Sequence, residues 1–201
     1  MRIEFWVDYL CPITYLTHKN LLEALDDLKL QDLDIYYRSY PIEKDLFNSL
    51  KSDESVIKII EDHFPNMTYD YFETDNIHQV SHLAKWQNLA TEFNKEVLHR
   101  RFKMGEDIND PNVLLEIAAD INLDVSETKR VIESCCYDRQ INNNKVNAEG
   151  RGIKQIPHLR INMKNNFNGF LSKDELIEII KDILNYKPKA PTECAGEVCD
   201  Y

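Results

Sequence analysis

A long segment with helical periodicity, residues 44–148, separates two shorter segments of the chain that carry strand patterns. Residues 2–8 are rich in β-branched and aromatic side chains, a leucine-rich amphipathic stretch follows them, and a second apolar run covers 33–39. Because a strand, a crossover helix and a second strand usually form a parallel, right-handed unit, residues 1–43 predict a β-α-β arrangement.

The chain beyond the helical segment returns to strand character and then to a helix. We expect two strands within 153–171, joined by a turn at Met163-Lys164-Asn165-Asn166. Ser172 and Glu175 have the spacing of a capping box, and an amphipathic helix follows them. The predicted order is β-α-β, a helical insertion and β-β-α. Without the insertion, this α/β order is that of a thioredoxin-like fold.

The same patterns predict the domain organisation. We expect a thioredoxin-like domain of residues 1–43 and 149–186, a helical insertion domain of 44–148, and a flexible tail of 187–201. Within the insertion, 76–103 predicts one long helix or two joined helices.

The charge of the chain excludes some classes of partner. The 201 residues include 35 acidic and 24 basic side chains, which gives a net charge of -11. An acidic surface repels phosphate backbones and anionic membranes, so we expect neither nucleic acid nor a membrane as partner. The chain lacks a stretch apolar enough to span a bilayer and a recognisable signal peptide, so we expect a cytoplasmic location.

Five cysteines are present, and this odd number leaves at least one thiol unpaired within a monomer. In a reducing compartment structural disulfides are disfavoured, which leaves catalysis, redox sensing, metal binding or packing. The adjacent Cys135 and Cys136 fall near a predicted helix end, and we interpret them as core or surface filler. We expect no metal site, because the tail cysteines lack further ligands nearby.

Cys11 lies where the first strand gives way to the first helix, and Pro12 suits that helix's first turn. A thiol at a helix N-terminus meets unpaired N–H groups and the positive end of the helix dipole, which both stabilise the thiolate. We therefore expect a lowered pKa and a reactive thiol. The alternative is a small buried core residue, but the strand–helix junction favours function.

Ile156-Pro157 precedes the predicted third strand, and the start of a strand accepts a proline. X-Pro bonds adopt the cis form far more readily than other peptide bonds, so we consider a cis bond here, with its loop facing Cys11. His158 would then border the thiol and assist its deprotonation, although packing is the commoner role of a strand histidine. Asp8 would either accept a proton or bond backbone N–H groups, and its charge would raise the thiol pKa.

Two segments carry a resemblance to a known family. Residues 8–16, Asp-Tyr-Leu-Cys-Pro-Ile-Thr-Tyr-Leu, are similar to an Asp-x-x-Cys-Pro-Trp-Cys-Tyr-x-Gly pattern, and residues 148–157 are similar to Ala-x-x-x-Gly-Ile-x-Gly-Val-Pro. Both patterns belong to the FrnE-like branch of the DsbA superfamily, and the resemblance covers most of 2–185. It implies a thioredoxin fold with a helical insertion, Cys11 as nucleophile, and a cis Pro157 that backs the substrate's extended backbone.

The departures from that pattern concern the resolving thiol. Thr14 stands where the family has its second cysteine, so release of a mixed disulfide needs another thiol. Some FrnE-like proteins carry a C-terminal Cys-x4-Cys, and Cys194 and Cys199 resemble it, which makes them candidate resolving thiols. The related kappa-class glutathione transferases and 2-hydroxychromene-2-carboxylate isomerases carry serine at the first motif position.

Three functions follow from these residues. The first is a thiol–disulfide oxidoreductase acting on disulfide-containing proteins or small thiols, with no cofactor other than a low-molecular-weight thiol such as glutathione. The second is a glutathione-dependent isomerase or transferase of the kappa-like branch. The third is a non-catalytic adaptor or chaperone on the same fold. The assembly state is open, with a homodimer as one alternative.

Overall fold

A computed structural model of the chain describes residues 1–30, 33–65 and 67–185, so the predicted tail with Cys194 and Cys199 lies outside the described residues. The elements follow the predicted order, which confirms the thioredoxin-like fold. They are β1 (Ile3–Val7), α1 (Pro12–Asp27), β2 (Ile35–Ser39), α2 (Lys44–Lys51), α3 (Glu54–His63), α4 (Asp75–Trp86), α5 (Ala90–His99) continued by a π-helical turn (Arg100–Met104), α6 (Pro111–Asp120), α7 (Val125–Ser134), α8 (Asp138–Gly150), β3 (His158–Ile161), β4 (Asn165–Asn168) and α9 (Lys173–Asn185).

The four strands form one sheet in the order β2-β1-β3-β4. β1 runs parallel to β2, as the crossover through α1 predicts, and β3 is antiparallel to both β1 and β4. Trp6 near the end of β1 pairs with His158 at the start of β3. The antiparallel pairing therefore brings the segment that follows β1 next to the segment that precedes β3.

Successive side chains of β1 enter different environments. Ile3, Phe5 and Val7 lie in one apolar core with residues of α1, α9 and the helical region. Trp6 lies in a second apolar cluster, which also holds Cys11. Because neighbouring residues of a strand point to opposite faces, this division shows that β1 is covered on both sides.

The predicted helix over 76–103 is divided into α4, α5 and the π-helical turn. The break between α4 and α5 contains Asn88, whose φ of 59° is left-handed. Asparagine tolerates that region better than most residues, which ends α4 without a glycine. None of the described helices is long and apolar enough to cross a membrane.

The predicted turn between the last two strands is confirmed for Met163 and Lys164 and wrong for Asn165 and Asn166. Asn165 and Asn166 belong to β4, whereas the turn centres on Asn162 and Met163, with φ values of 51° and 59°. Two consecutive residues with positive φ twist in the sense that flanking strands require. The turn was predicted too late in the chain because Met163 occupies a left-handed turn position at which glycine is usual.

Candidate active site

The Cys11 thiol lies at the N-terminus of α1, with Cys11 as N-cap and Pro12 in the first turn. Its Sγ is 3.9 Å from the carbonyl oxygen of Ile156. The Ile156–Pro157 peptide bond is cis, as considered from the sequence. The structure thus joins the two predicted segments, and the carbonyl before the cis-proline faces the thiol directly.

Burial governs the ionisation of Cys11. The residue is 0% exposed, and this burial raises the pKa of its thiol to about 11. The N–H groups of Thr14 and Ile13 and the Thr14 hydroxyl act in the lowering direction, and the charge of Asp8 adds to the rise. The expected lowering of the Cys11 pKa is therefore wrong for this state, because loss of solvent outweighs the helix N-terminus.

Asp8 is fully buried and accepts hydrogen bonds from several directions. Its carboxylate accepts from the backbone N–H groups of Leu10, at 2.7 Å, and Ile42, at 3.2 Å. The Thr74 hydroxyl donates at 2.7 Å, and the His78 Nε2 lies 3.3 Å away. Of the two roles expected for Asp8, the structure supports the bonding of backbone N–H groups.

Thr14 occupies the position of the missing second cysteine. Its backbone N–H donates to the Cys11 carbonyl at 3.0 Å, as part of the first turn of α1. Its side chain is buried, and the hydroxyl has no hydrogen-bond partner among the residues that the structure describes. This hydroxyl acts to lower the pKa of the adjacent Cys11 thiol.

His158 is not directed at the thiol. Its Nδ1 lies 2.6 Å from the Asn168 Oδ1, and its Nε2 lies 3.2 Å from the Asn166 Oδ1. The ring also packs edge-on against Trp6. Since both nitrogens are engaged by β4, the packing role considered for this histidine fits the structure better than the role of a base.

A cover of helices α2 and α3 and the segment 67–72 lies over the thiol. Phe47 of α2, Val56 of α3 and Tyr69 are buried in the same cluster as Cys11, and the rings of Phe47 and Tyr69 are 4.8 Å apart. The periodicity of the helical region predicts burial of such residues but not which group they are buried against. For this reason Tyr69 and His78 were missed as neighbours of the site.

The other described cysteines lie away from this site. Cys135 and Cys136 are exposed free thiols, and Cys135 ends α7 in a left-handed conformation with a φ of 50°. This agrees with their interpretation as filler at a helix end. Across residues 1–30, 33–65 and 67–185, no group of three side chains is placed to hold a metal ion.

Comparisons with known proteins agree with this geometry. The family model described as DSBA-like thioredoxin domain matches residues 2–181. A probable DsbA oxidoreductase from Streptomyces coelicolor has a similar structure, with a TM-score of 0.73 and 16% identity over 94% of this chain and 93% of that one. No curated protein sequence matches the chain.

Two further solved structures are similar at low sequence identity. The cytosolic disulfide reductase DsbM from Pseudomonas aeruginosa has a TM-score of 0.69 and 14% identity, over 92% of this chain and 98% of that one. A 2-hydroxychromene-2-carboxylate isomerase has a TM-score of 0.69 and 14% identity, over 91% of this chain and 94% of that one. These likenesses support the fold.

Proposed function

The chain belongs to the DSBA-like thioredoxin family, and from this premise we propose that it is a thiol–disulfide oxidoreductase with Cys11 as nucleophile. The observation that carries the proposal is the position of the Cys11 Sγ at the start of α1, 3.9 Å from the Ile156 carbonyl beside the cis Pro157. Within the family, the motifs around Cys11 and Pro157 support assignment to the FrnE-like branch.

The proposed reaction has two exchanges. The Cys11 thiolate attacks one sulfur of a substrate disulfide, an S–S bond forms between them, and the other substrate sulfur leaves as a thiolate. Because Thr14 cannot act as a second thiol, a thiol from elsewhere must attack the mixed disulfide and release Cys11. The candidates are Cys194 or Cys199 of the tail and a low-molecular-weight thiol.

The direction that we propose is reduction, in the cytoplasm and with glutathione as electron donor. Each cycle then oxidises two thiols to one disulfide and reduces the substrate disulfide to two thiols. A support for this direction is the similarity to the cytosolic disulfide reductase DsbM, whose structure has also been solved with glutathione. A disulfide-containing protein or a small disulfide is the proposed substrate.

Replacement of the proposed nucleophile tests this function. In a Cys11→Ser variant, we expect glutathione-dependent reduction of 2-hydroxyethyl disulfide to fall to the uncatalysed background. Cys135→Ser, which removes an exposed thiol at the end of α7, is the matched control and should keep full activity. Full activity of the Cys11→Ser variant would refute the proposal.

The tail cysteines need a separate experiment. If Cys194 and Cys199 resolve the mixed disulfide, a double serine variant should stop after one exchange in the absence of glutathione. Added glutathione should then restore turnover. Equal single-turnover release from the variant and the wild type would exclude the tail as the resolving thiol.

A second candidate function is favoured by the apolar enclosure of Cys11. Phe47, Tyr69 and Ile153 lie in the same buried cluster as the thiol, and an apolar small-molecule substrate would require such apolar surroundings. We propose as this alternative a glutathione-dependent isomerase or transferase. It predicts glutathione binding with isomerase or conjugation turnover and no reduction of disulfides, which is the reverse of the result expected above.

A further inference from the structure

We propose that the hydroxyl groups of Thr14 and Tyr69 are two hydrogen-bond donors that divide the exchange reaction at Cys11 between them. Thr14 donates to the thiolate of Cys11, and Tyr69 donates to the substrate sulfur that leaves. This inference rests on the proposed function and deepens it by assigning two further residues to the reacting sulfur atoms.

The first observation is that both hydroxyls are buried without a partner. Thr14 is 0% exposed and Tyr69 is 8% exposed, and neither hydroxyl has a hydrogen-bond partner among the described residues. Native proteins pair nearly all buried polar groups, so each exception needs an explanation. Phenylalanine would fill the Tyr69 position without that penalty, and the neighbouring Phe47 shows that the cluster accepts one.

The second observation is that both hydroxyls belong to the surroundings of Cys11. Thr14 follows Cys11 in the first turn of α1 and stabilises its thiolate form. Tyr69 is packed in the same cluster as Cys11, and a charge on the Cys11 sulfur disfavours ionisation of the Tyr69 hydroxyl. The two hydroxyls therefore both belong to the surroundings of the Cys11 thiol, although they come from distant parts of the chain.

The geometry of disulfide exchange separates the two roles. Thr14 lies in the first turn of the helix that Cys11 caps, whereas Tyr69 enters the cluster from the distant segment 67–72. In an in-line exchange the leaving sulfur lies beyond the attacked one, roughly 4 Å from the Cys11 sulfur given an S–S bond of about 2.05 Å. A donor on a different segment from the Cys11 helix, as Tyr69 is, suits this outer sulfur.

The chemistry of the leaving sulfur calls for such a donor. When the Cys11 thiolate forms the new S–S bond, the electron pair of the broken bond moves to the leaving sulfur, where negative charge develops beside a cluster of apolar side chains. Burial raises the pKa of Tyr69 well above its usual range, so its hydroxyl keeps its proton and acts only as a donor. The leaving thiolate is later protonated by solvent.

Two reactions of Cys11 distinguish whether Tyr69 donates a hydrogen bond to the leaving sulfur or only packs in the cluster. Iodoacetamide alkylates the thiolate and releases iodide, so it has no leaving sulfur, whereas 2-hydroxyethyl disulfide releases a basic alkyl thiolate. In Tyr69→Phe we expect exchange with the disulfide to slow about tenfold or more, the effect of one lost hydrogen bond to a charged group. The alkylation rate should stay within about twofold, since thiolate formation does not need this donor.

A tyrosine packed against the same cluster provides the matched control. Tyr71 also packs on Phe47, with the ring centroids 5.6 Å apart, and its hydroxyl is not among the unpartnered buried groups. Tyr71→Phe should leave both rates unchanged. If Tyr69→Phe slows alkylation and exchange equally, or slows neither, the donor role of Tyr69 is refuted.

The Thr14 part is tested by the pH dependence of alkylation. The other groups whose charge acts on this thiol or is coupled to it are Asp8 and Tyr69, and both are retained in the Thr14 variants. Thr14→Val should shift the alkylation profile of Cys11 to higher pH because the thiolate loses a donor, and Thr14→Ser should restore the profile. An unshifted profile in Thr14→Val would overturn this part.

Failure of the proposed function would look different. If wild-type Cys11 is alkylated by iodoacetamide but does not exchange with any disulfide, the oxidoreductase itself is refuted, and this inference with it. If the wild type exchanges with disulfides, and Tyr69→Phe has the same ratio of exchange rate to alkylation rate as the wild type, the inference alone is overturned.

Discussion

Asp8 carries its carboxylate inside the protein, three residues before the thiol. The backbone N–H groups of Leu10 and Ile42 hold it to the segments that follow β1 and β2, and Thr74 and His78 hold it to the start of α4. A buried charge is tolerated when its hydrogen bonds are satisfied in this way. Asp8 therefore positions the segment that carries Cys11, while its charge makes that thiol harder to ionise.

Replacement of Asp8 separates these two effects. Asp8→Asn removes the charge, so we expect the pKa of Cys11 to fall and alkylation at neutral pH to accelerate. The loss of charge-assisted hydrogen bonds should also lower the free energy of unfolding by about 1–3 kcal/mol. Alkylation against pH and urea denaturation measure the two quantities.

The control for Asp8 removes a charge elsewhere. Asp124 is the exposed N-cap of α7, where its side chain accepts from the Glu127 N–H, and asparagine caps helices about as well. Asp124→Asn should change neither quantity. A Cys11 profile that moves to higher pH in Asp8→Asn would contradict the electrostatic account.

At the scale of elements, α2 and α3 decide whether a substrate reaches the thiol. Phe47 and Val56 lie in the same buried cluster as Cys11, while the ion pairs Glu43–Lys145 and Lys51–Asp70 join α2 to α8 and to the segment 67–72 at the surface. Exposed ion pairs contribute little to stability, so apolar contacts account for most of the closed state. A substrate disulfide therefore requires displacement of α2 and α3, at less cost than unfolding the main core.

Weakening the cover should expose the thiol. Val56→Ala removes two buried methyl groups, which costs about 1–3 kcal/mol of local packing. If the substitution destabilises the closed state relative to the open state by about 1.4 kcal/mol, the open population should rise about tenfold. The alkylation rate of Cys11 should rise by the same factor. Hydrogen exchange of α2 and α3 should accelerate in parallel.

Val131 of α7 is the matched control, since it is equally buried but belongs to the other core cluster. Val131→Ala should lower the free energy of unfolding without accelerating alkylation. Equal acceleration in both variants would mean that the thiol is exposed by global unfolding and not by opening of the cover.

At the scale of the whole molecule, buried neutral histidines make the free energy of unfolding depend on pH. His18 packs on Phe5 and lies 2.7 Å from the Tyr37 hydroxyl, and burial, with a smaller contribution from the charge of Lys95, lowers its pKa to about 3. Burial likewise lowers the pKa of His82 to about 4. Both imidazoles stay neutral in the folded chain at pH values where they are protonated in the unfolded chain.

Acid should therefore destabilise the protein between pH 6.5 and 3. As the pH falls below the ordinary histidine pKa, His18 binds a proton in the unfolded state but not in the folded state. Stability that is present above pH 6.5 is therefore lost, by about 3 kcal/mol at pH 4. His18→Gln should remove that part of the slope in denaturation curves measured against pH. His63→Gln, at an exposed position, should leave the slope unchanged, and an unaltered slope in His18→Gln would contradict the linkage.

Local patterns were sufficient for much of the architecture. The change from strand to helix at Cys11-Pro12 and the capping box of Ser172 and Glu175 both form where the sequence predicts them. These features depend on a residue and its neighbours within one turn. The turn was predicted one residue too late because Met163 adopts a left-handed conformation that methionine does not prefer.

The sequence by itself determined the element order, the junction that carries Cys11 and the proline that faces it. Only the tertiary structure decided that Cys11 is buried, with a raised pKa, beneath Phe47, Val56 and Tyr69. The reason is physical: capping and periodicity are set by residues close along the chain, whereas solvent exclusion is set by whatever side chains the fold brings to the same place. The reactivity of Cys11 therefore depends on the packing of α2 and α3 over it as much as on its own motif.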